Sequence, residues 1–177
     1  MAVPKSSAFT LLEMMTTVSI MAILVSLGIP AFQEYARKQA MSAAVHALHS
    51  DLLMGRSHAI HQDMQVVGCP GSPGQGCTGV NDWSEGWIIF GDDNEDRNLQ
   101  DDENILRHGQ SVPDLLILSS ASRTSIRFYP NGSAPGSNGS ISFCDSGGPE
   151  KARKLVISNL GRIRRDSATT ISDAQCP

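Results

Sequence analysis

Residues 9–32 read FTLLEMMTTVSIMAILVSLGIPAF, and this stretch decides the fold. Its 24 residues carry one formal charge, Glu13. Coiled as a helix it would extend about 36 Å, enough to cross a bilayer core of about 30 Å. Ahead of it lies MAVPKSSA, short and polar with one Lys. A cleavable secretory signal shares that layout of a basic residue before an apolar run. Such a signal has no use for a carboxylate inside the run, where insertion costs roughly 2.5–3.5 kcal/mol. No clear small-x-small cleavage site follows either. A cut between Ala8 and Phe9 would instead expose an α-amino group four residues before Glu13. The amine of a neighbouring copy could then neutralise the Glu13 carboxylate once helices stack out of water.

A helical pattern resumes past this stretch. Met41, Val45, Leu48, Leu52 and Ala59 fall at helical spacing and form one apolar stripe. The helix is expected over 9–61, with 9–32 as its membrane-crossing or filament-core part. Its second half should pack on a sheet. Pro30, preceded by Gly28, removes a rung of the hydrogen-bond ladder, so a bend or local melt is expected there.

From residue 62 to 177 the pattern changes to short strand-like runs. These are Met64–Val67, Trp87–Phe90, Asn104–Arg107, Leu115–Ser119, Ser125–Tyr129, Ser140–Phe143 and Lys154–Ser158. Between them lie CPGSPGQGC, DDNEDRNLQDDE, PNGSAPGSNG and DSGGPEKA, all loop chemistry. The expected class is α+β: a long N-terminal helix on a small antiparallel sheet or sandwich. Four cysteines in an exported body favour disulfides, and three pairings are possible. Cys69 and Cys77 bracket a Pro/Gly loop, which suits a local bridge and leaves Cys144 with Cys176. No CxxC pair supports zinc.

The stretch AFTLLEMMTTVSIMAILVSLGIPAF resembles the N-terminus of type IV pilins and type II secretion pseudopilins. That resemblance implies a leader over 1–8, cleaved by a prepilin peptidase between Ala8 and Phe9, and N-methylation of Phe9. It further implies that Glu13 guides docking onto other pilins and that Pro30 kinks or melts the helix. Ala8 departs from the Gly usual before the cut. The segment WSEGWIIFGDDNEDRNLQDDENILR extends the resemblance to the FimT/GspH-type minor pilins and pseudopilins. The implied location is the inner membrane, single-pass, before assembly. The body would be periplasmic and then extracellular in the pilus.

Two clusters invite a metal reading. Asp92, Asn94, Asp96, Asn98, Gln100 and Glu103 fall at the ligand positions of a calcium loop. Arg97, however, stands where the sharp turn normally demands Gly, and no flanking helices are expected. A strand-bounded hairpin with solvated acids is the favoured reading. His46 and His49, and His58 and His61, are spaced i, i+3 on the helix without accompanying carboxylates, and are read as solvated or partly packed. No cofactor or resident metal is expected.

The 177-residue chain has a formal net charge of −4 with 18% charged residues, which argues against coating nucleic acid over the whole surface. The charge is asymmetric. Lys151, Arg153, Lys154, Arg162, Arg164 and Arg165 lie within fifteen residues that contain no acid. In an extended segment Arg162 and Arg164 share one face and Arg165 turns to the other. Guanidinium forks match phosphate oxygens. Gly161-Arg162-Ile163-Arg164 also resembles the GRxR motif of FimT-type pilins, which bind DNA during uptake by naturally competent bacteria. The resemblance implies DNA contact at Arg162 and Arg164. Gly161 provides the turn before them, and Lys151, Arg153, Lys154 and Arg165 add positive charge. Such contacts predict sequence-independent, salt-sensitive binding to the backbone of double-stranded DNA. The alternative is a structural type II secretion pseudopilin, or a pilus-priming minor pilin, without DNA binding. No nucleophile elbow, Walker A sequence or dinucleotide fingerprint is present, so no enzyme is expected.

Overall fold

The computed structural model describes residues 10–145, 151–167 and 176. Ala8 and Phe9, with the rest of the leader, lie outside the described residues. The chain forms two compact units, residues 1–39 and 40–177.

One helix, α1, runs Leu11–Gln62 and contributes to both units. Its start is set locally. Thr10 precedes the first helical residue, and its Oγ1 accepts the Glu13 backbone N–H at 3.2 Å, satisfying an amide with no partner inside the helix. Thr10-Leu11-Leu12-Glu13 thus has the sequence of a capping box.

In the first unit the apolar side chains stay uncovered. Leu12, Val18, Leu24 and Leu27 each keep at least 65% of their surface exposed. The polar residues interleaved with them are satisfied within the helix. Thr16 and Ser26 donate to the carbonyls of Glu13 and Ile23, three residues back, and Ser19 donates to Met15 four back. A helix whose hydroxyls need no water is suited to an apolar surround. It is long and apolar enough to cross a membrane. The assignment is helical through Pro30, so the local melt expected there is absent. Losing one amide removes one rung, and the helix continues on both sides of it.

The second unit is built on the apolar stripe. Met41, Val45, Leu48, Leu52 and Ala59 are all buried, with Ala44 and Gly55 beside them. Among the described residues nine strands follow: β1 Gln65–Ser72, β2 Gly76–Cys77, β3 Gly86–Asp92, β4 Ile105–Gln110, β5 Leu116–Ser119, β6 Ile126–Phe128, β7 Gly139–Cys144, β8 Arg153–Ile157 and β9 Ile163–Ser167. They make two antiparallel sheets. The first has the order β2-β1-β3-β4 with β6 also paired to β1, and the second has the order β5-β7-β8-β9. One core joins the helix to both sheets, through Leu48, Leu52, Ile89, Trp87, Phe128, Phe143 and Leu155. The expected class, a long helix on antiparallel sheet, is the observed one.

Strand boundaries differ from expectation where covalent or long-range partners override local sequence. β1 continues through Cys69-Pro70-Gly71, whose local chemistry is that of a loop, because the Cys69–Cys77 bridge closes β1 against β2. β9 lies outside the expected strands. Its ladder to β8 supplies what Ile163-Arg164-Arg165-Asp166-Ser167 lacks in apolar pattern. The second bridge joins Cys144 to Cys176, against Ala152 and Leu116.

A candidate nucleic-acid interface

The β8–β9 hairpin carries most of the basic segment, and its turn is built around Gly161. The Gly161 N–H donates to the Ser158 carbonyl at 2.8 Å, and Ser158 N–H donates to the Arg162 carbonyl at 3.1 Å. Gly161 takes φ = 73°, the left-handed region that favours glycine. This is a three-residue hairpin loop closed by a bulged glycine. The turn is strapped from behind. Arg56 of α1 donates through Nε to the Gly132 carbonyl at 2.7 Å, and its Nη2 lies 3.5 Å from the Leu160 carbonyl. Asn159 accepts the Ala134 N–H on its carbonyl at 2.8 Å and the Gly136 N–H on its side chain at 3.2 Å.

Register then distributes the charges. Lys154 pairs with Asp166, Val156 with Arg164 and Ile157 with Ile163 across the β8–β9 ladder. Directly paired residues share a face, and faces alternate along each strand. Arg162, Arg164, Lys154 and Asp166 therefore occupy one face, and buried Leu155, Ile157 and Ile163 the other. Arg153 and Arg165 belong to that second face, at its open end beside α1. There Arg165 Nη1 lies 3.0 Å from His46 Nδ1. The shared face expected for Arg162 and Arg164, with Arg165 turned to the other, is the one the ladder gives. Arg162 and Arg164 stand together and exposed, while Arg165 and Arg153 line a hollow with His46, Ser42 and Asp166. Lys151 is exposed ahead of β8.

The absence of acids within residues 151–165 does not extend to the folded surface. Asp166, one residue beyond, places Oδ2 3.9 Å from Arg164 Nη2. Both side chains are well exposed, so the pair is worth well under about 1 kcal/mol and leaves Arg164 free to exchange it for another anion. The Arg162 guanidinium makes no hydrogen bond or ion pair among the described residues.

The acidic loop is organised by its own amides. Asp92, at the end of β3, accepts the N–H groups of Asp96 and Arg97 at 3.1 and 3.2 Å. Glu103 accepts those of Asp93 and Gln100 at 3.1 and 3.0 Å. Asp96 accepts the Asn98 N–H at 2.7 Å. Burial raises the Asp92 and Glu103 carboxyls above the usual range, and the Asn98 amide holds Asp96 below it. Among the described residues no three His, Cys, Asp or Glu side chains gather as a metal site. The histidines have other contacts. His61 Nδ1 lies 2.7 Å from the Ser57 carbonyl, and His49 bonds the Ile163 backbone.

Sequence reasoning does not find a second basic group. Arg97, Arg123 and Arg127 come from three places in the chain and line one small cavity. Their separation in sequence leaves no local signal; only the folded sheets unite them.

Comparison with known families places these features. Residues 44–161 match the family described as Type II transport protein GspH. The chain belongs to the GspH family. Residues 4–29 of this GspH-family chain match the prokaryotic N-terminal methylation motif. The pilin fold is that of the minor pilin FimU of Pseudomonas aeruginosa. One FimU crystal form superposes with a TM-score of 0.59 at 22% identity, covering 78% of this chain and 95% of FimU. The minor pseudopilin EpsH of Vibrio cholerae superposes with a TM-score of 0.52 at 10% identity, covering 73% and 98%. Prepilin peptidase-dependent protein D of Escherichia coli K12 is 50% identical over 38 residues, 22% of this chain. The match spans about a quarter (26%) of that relative's length. The methylation motif and the apolar helix fit a pilin anchored in the inner membrane.

Proposed function

We propose that this GspH-family chain is a minor pilin whose body binds double-stranded DNA through Arg162 and Arg164, without regard to sequence, in support of DNA uptake. The observation that carries this reading is the pair itself. Two guanidinium groups stand on one open face, placed by a hairpin whose bulged glycine and Arg56 strap fix the turn beside them. Guanidinium pairs bind phosphate oxygens with charge-assisted hydrogen bonds and read no base identity. Two phosphates engaged per subunit give weak binding, which several copies in a filament strengthen through avidity. Lys154 extends the same face; Arg153, Arg165 and Lys151 contribute field rather than direct contact.

The proposed life history follows from the N-terminal segment. Prepilin peptidase removes residues 1–8, Phe9 becomes the methylated terminus, and Glu13 pairs with that terminus of a neighbouring pilin. The body faces the periplasm until assembly carries it outside. A fluorescent duplex titrated with the full chain in detergent tests the DNA role. Binding by the wild type and markedly weaker binding by the R162A/R164A variant are expected. Equal binding by both overturns the arginine assignment.

The family match also favours a second reading, a secretion pseudopilin with no DNA role. Wild-type chain that leaves the duplex unbound at low salt would select it.

A further inference from the structure

The cavity formed by Arg97, Arg123 and Arg127 has a volume of about 90 Å³ and also presents Thr124, Ser125 and Gly136. Among the described residues no carboxylate lines it, and none of its three arginines makes an ion pair. Arg97 lies in a loop rich in acids, two of which bind the loop's own amides. Asp92 accepts the Asp96 and Arg97 backbone amides, and Asp96 accepts from Asn98 and Gln100. Arg97 is exposed, and its guanidinium makes no ion pair among the described residues. Arg127 stacks its guanidinium 4.7 Å from the Tyr129 ring centroid. Its Nε is buried with no partner among the described residues. A buried charged donor without an acceptor is costly, and an anion in the cavity would relieve that cost. Arg123 is the fixed member, since its Nε donates to the Asn138 carbonyl at 2.7 Å and its Nη2 to the Asn138 side chain at 3.2 Å.

The cavity's position relates it to the β8–β9 turn. Gly139 of β7 pairs with Ile157 of β8, and Ile157 pairs with Ile163 of β9. One step further along the same row lie Asn138, Ser158 and Arg162. Two strand spacings, about 10 Å, therefore separate the Asn138 backbone held by Arg123 from that of Arg162. A nucleic-acid strand presents a phosphate about every 3.4 Å of axis, so this gap spans about three phosphates. The Gly136 edge of the cavity is also tied to the turn through Asn159.

We infer that the Arg97–Arg123–Arg127 cavity seats one phosphate of a phosphodiester strand, as a second anchor beside Arg162 and Arg164. The inference rests on the DNA reading above and adds to it a site with hydroxyl donors and a size suited to a phosphate rather than to a base.

Arg97 is the clean handle, because its guanidinium makes no hydrogen bond or ion pair among the described residues. Anisotropy of a fluorescent duplex is measured with the full chain in detergent at several salt concentrations. The variants are R97Q, R97K, R127Q and R162A/R164A, each with a thermal melt. R97Q is expected to weaken binding about 3–10-fold at low salt and to lower the slope of log K against log[salt] by about 0.9, one phosphate's worth of released counterion. R97K, which keeps the charge, restores most of that loss, and R127Q weakens binding similarly. R97Q and R127Q that bind with wild-type affinity and slope, while R162A/R164A binds more weakly with a lower slope, overturn the cavity and leave the DNA reading standing. Weakening by R97Q with none by R162A/R164A supports the cavity and removes the arginine pair. Absence of wild-type binding overturns both.

Discussion

Gly161 packs so closely on Gly132 that a methyl group at Gly161 would overlap the Gly132 carbonyl oxygen and come within 2.9 Å of Arg56 Nε. The glycine of the Gly161-Arg162-Ile163-Arg164 run is therefore a structural residue. It lets the β8–β9 turn lie against the loop before β7, and so sets where Arg162 emerges. Replacing Gly161 with Ala adds left-handed backbone strain to that overlap. We expect a loss of roughly 2 kcal/mol or more, a fall of about 4–8 °C in melting temperature. Calorimetry of the variant checks this. An unchanged melt would mean that the turn is free to relax.

His49 gives the fold a pH dependence. Burial pushes its imidazole below the usual 6.5, the Arg165 and His46 charges push the same way, and the Ile163 backbone bond opposes them. The unfolded chain thus takes up a proton at higher pH than the folded one. Stability contributed by neutral His49 is full above 6.5 and is lost as pH falls toward the folded value. Denaturant unfolding at about pH 7.5 and about 5.5 should differ by at most about 1 kcal/mol from this group. H49Q should reduce the difference. Asp92 and Glu103, raised by burial, act with opposite sign in the carboxylate range: their contribution falls as pH rises through it.

The two bridges should differ in worth because they close loops of different length. Cys69 and Cys77 are separated by 8 residues, Cys144 and Cys176 by 32. Loop-closure entropy assigns about 2.5 kcal/mol to the first and about 3.7 kcal/mol to the second. Paired Cys→Ser variants, unfolded in urea, should preserve that order. A larger loss from the shorter loop would show that native packing around β1 and β2, rather than chain entropy, sets the value.

The physical reasons for what can and cannot be read from sequence are visible in particular residues. The stripe Met41–Ala59 is legible because burial on one helix face imposes a 3.6-residue period, and each stripe member is in the core. Trp87–Phe90 is legible as strand, and it is the centre of β3, buried throughout. Pro70 and Gly71 read as loop because their local chemistry says turn; only Trp87 across the ladder and the Cys69–Cys77 bridge make them strand. Alternation alone assigns Arg162 and Arg164 a shared face. It also turns Arg165 to the other face, but the approach of Arg165 to His46 depends on where α1 lies. Arg97, Arg123 and Arg127 have no legible relationship, since a cavity between loops leaves no period in the sequence.

Processing is tested at the chain terminus. Mass spectrometry of chain recovered from cells with prepilin peptidase should show methylated Phe9 as the first residue. Met1 retained, or a cut well past Ala8, would remove the partner proposed for Glu13.

Whether Arg162 and Arg164 hold DNA is decided by the salt dependence of duplex binding, with wild type and R162A/R164A compared between about 50 and about 200 mM salt. Strong salt dependence is expected in the wild type. In the variant the slope of log K against log[salt] should be lower by about 1.8, because two phosphates are no longer neutralised. Equal affinities and equal slopes in the two proteins would contradict it.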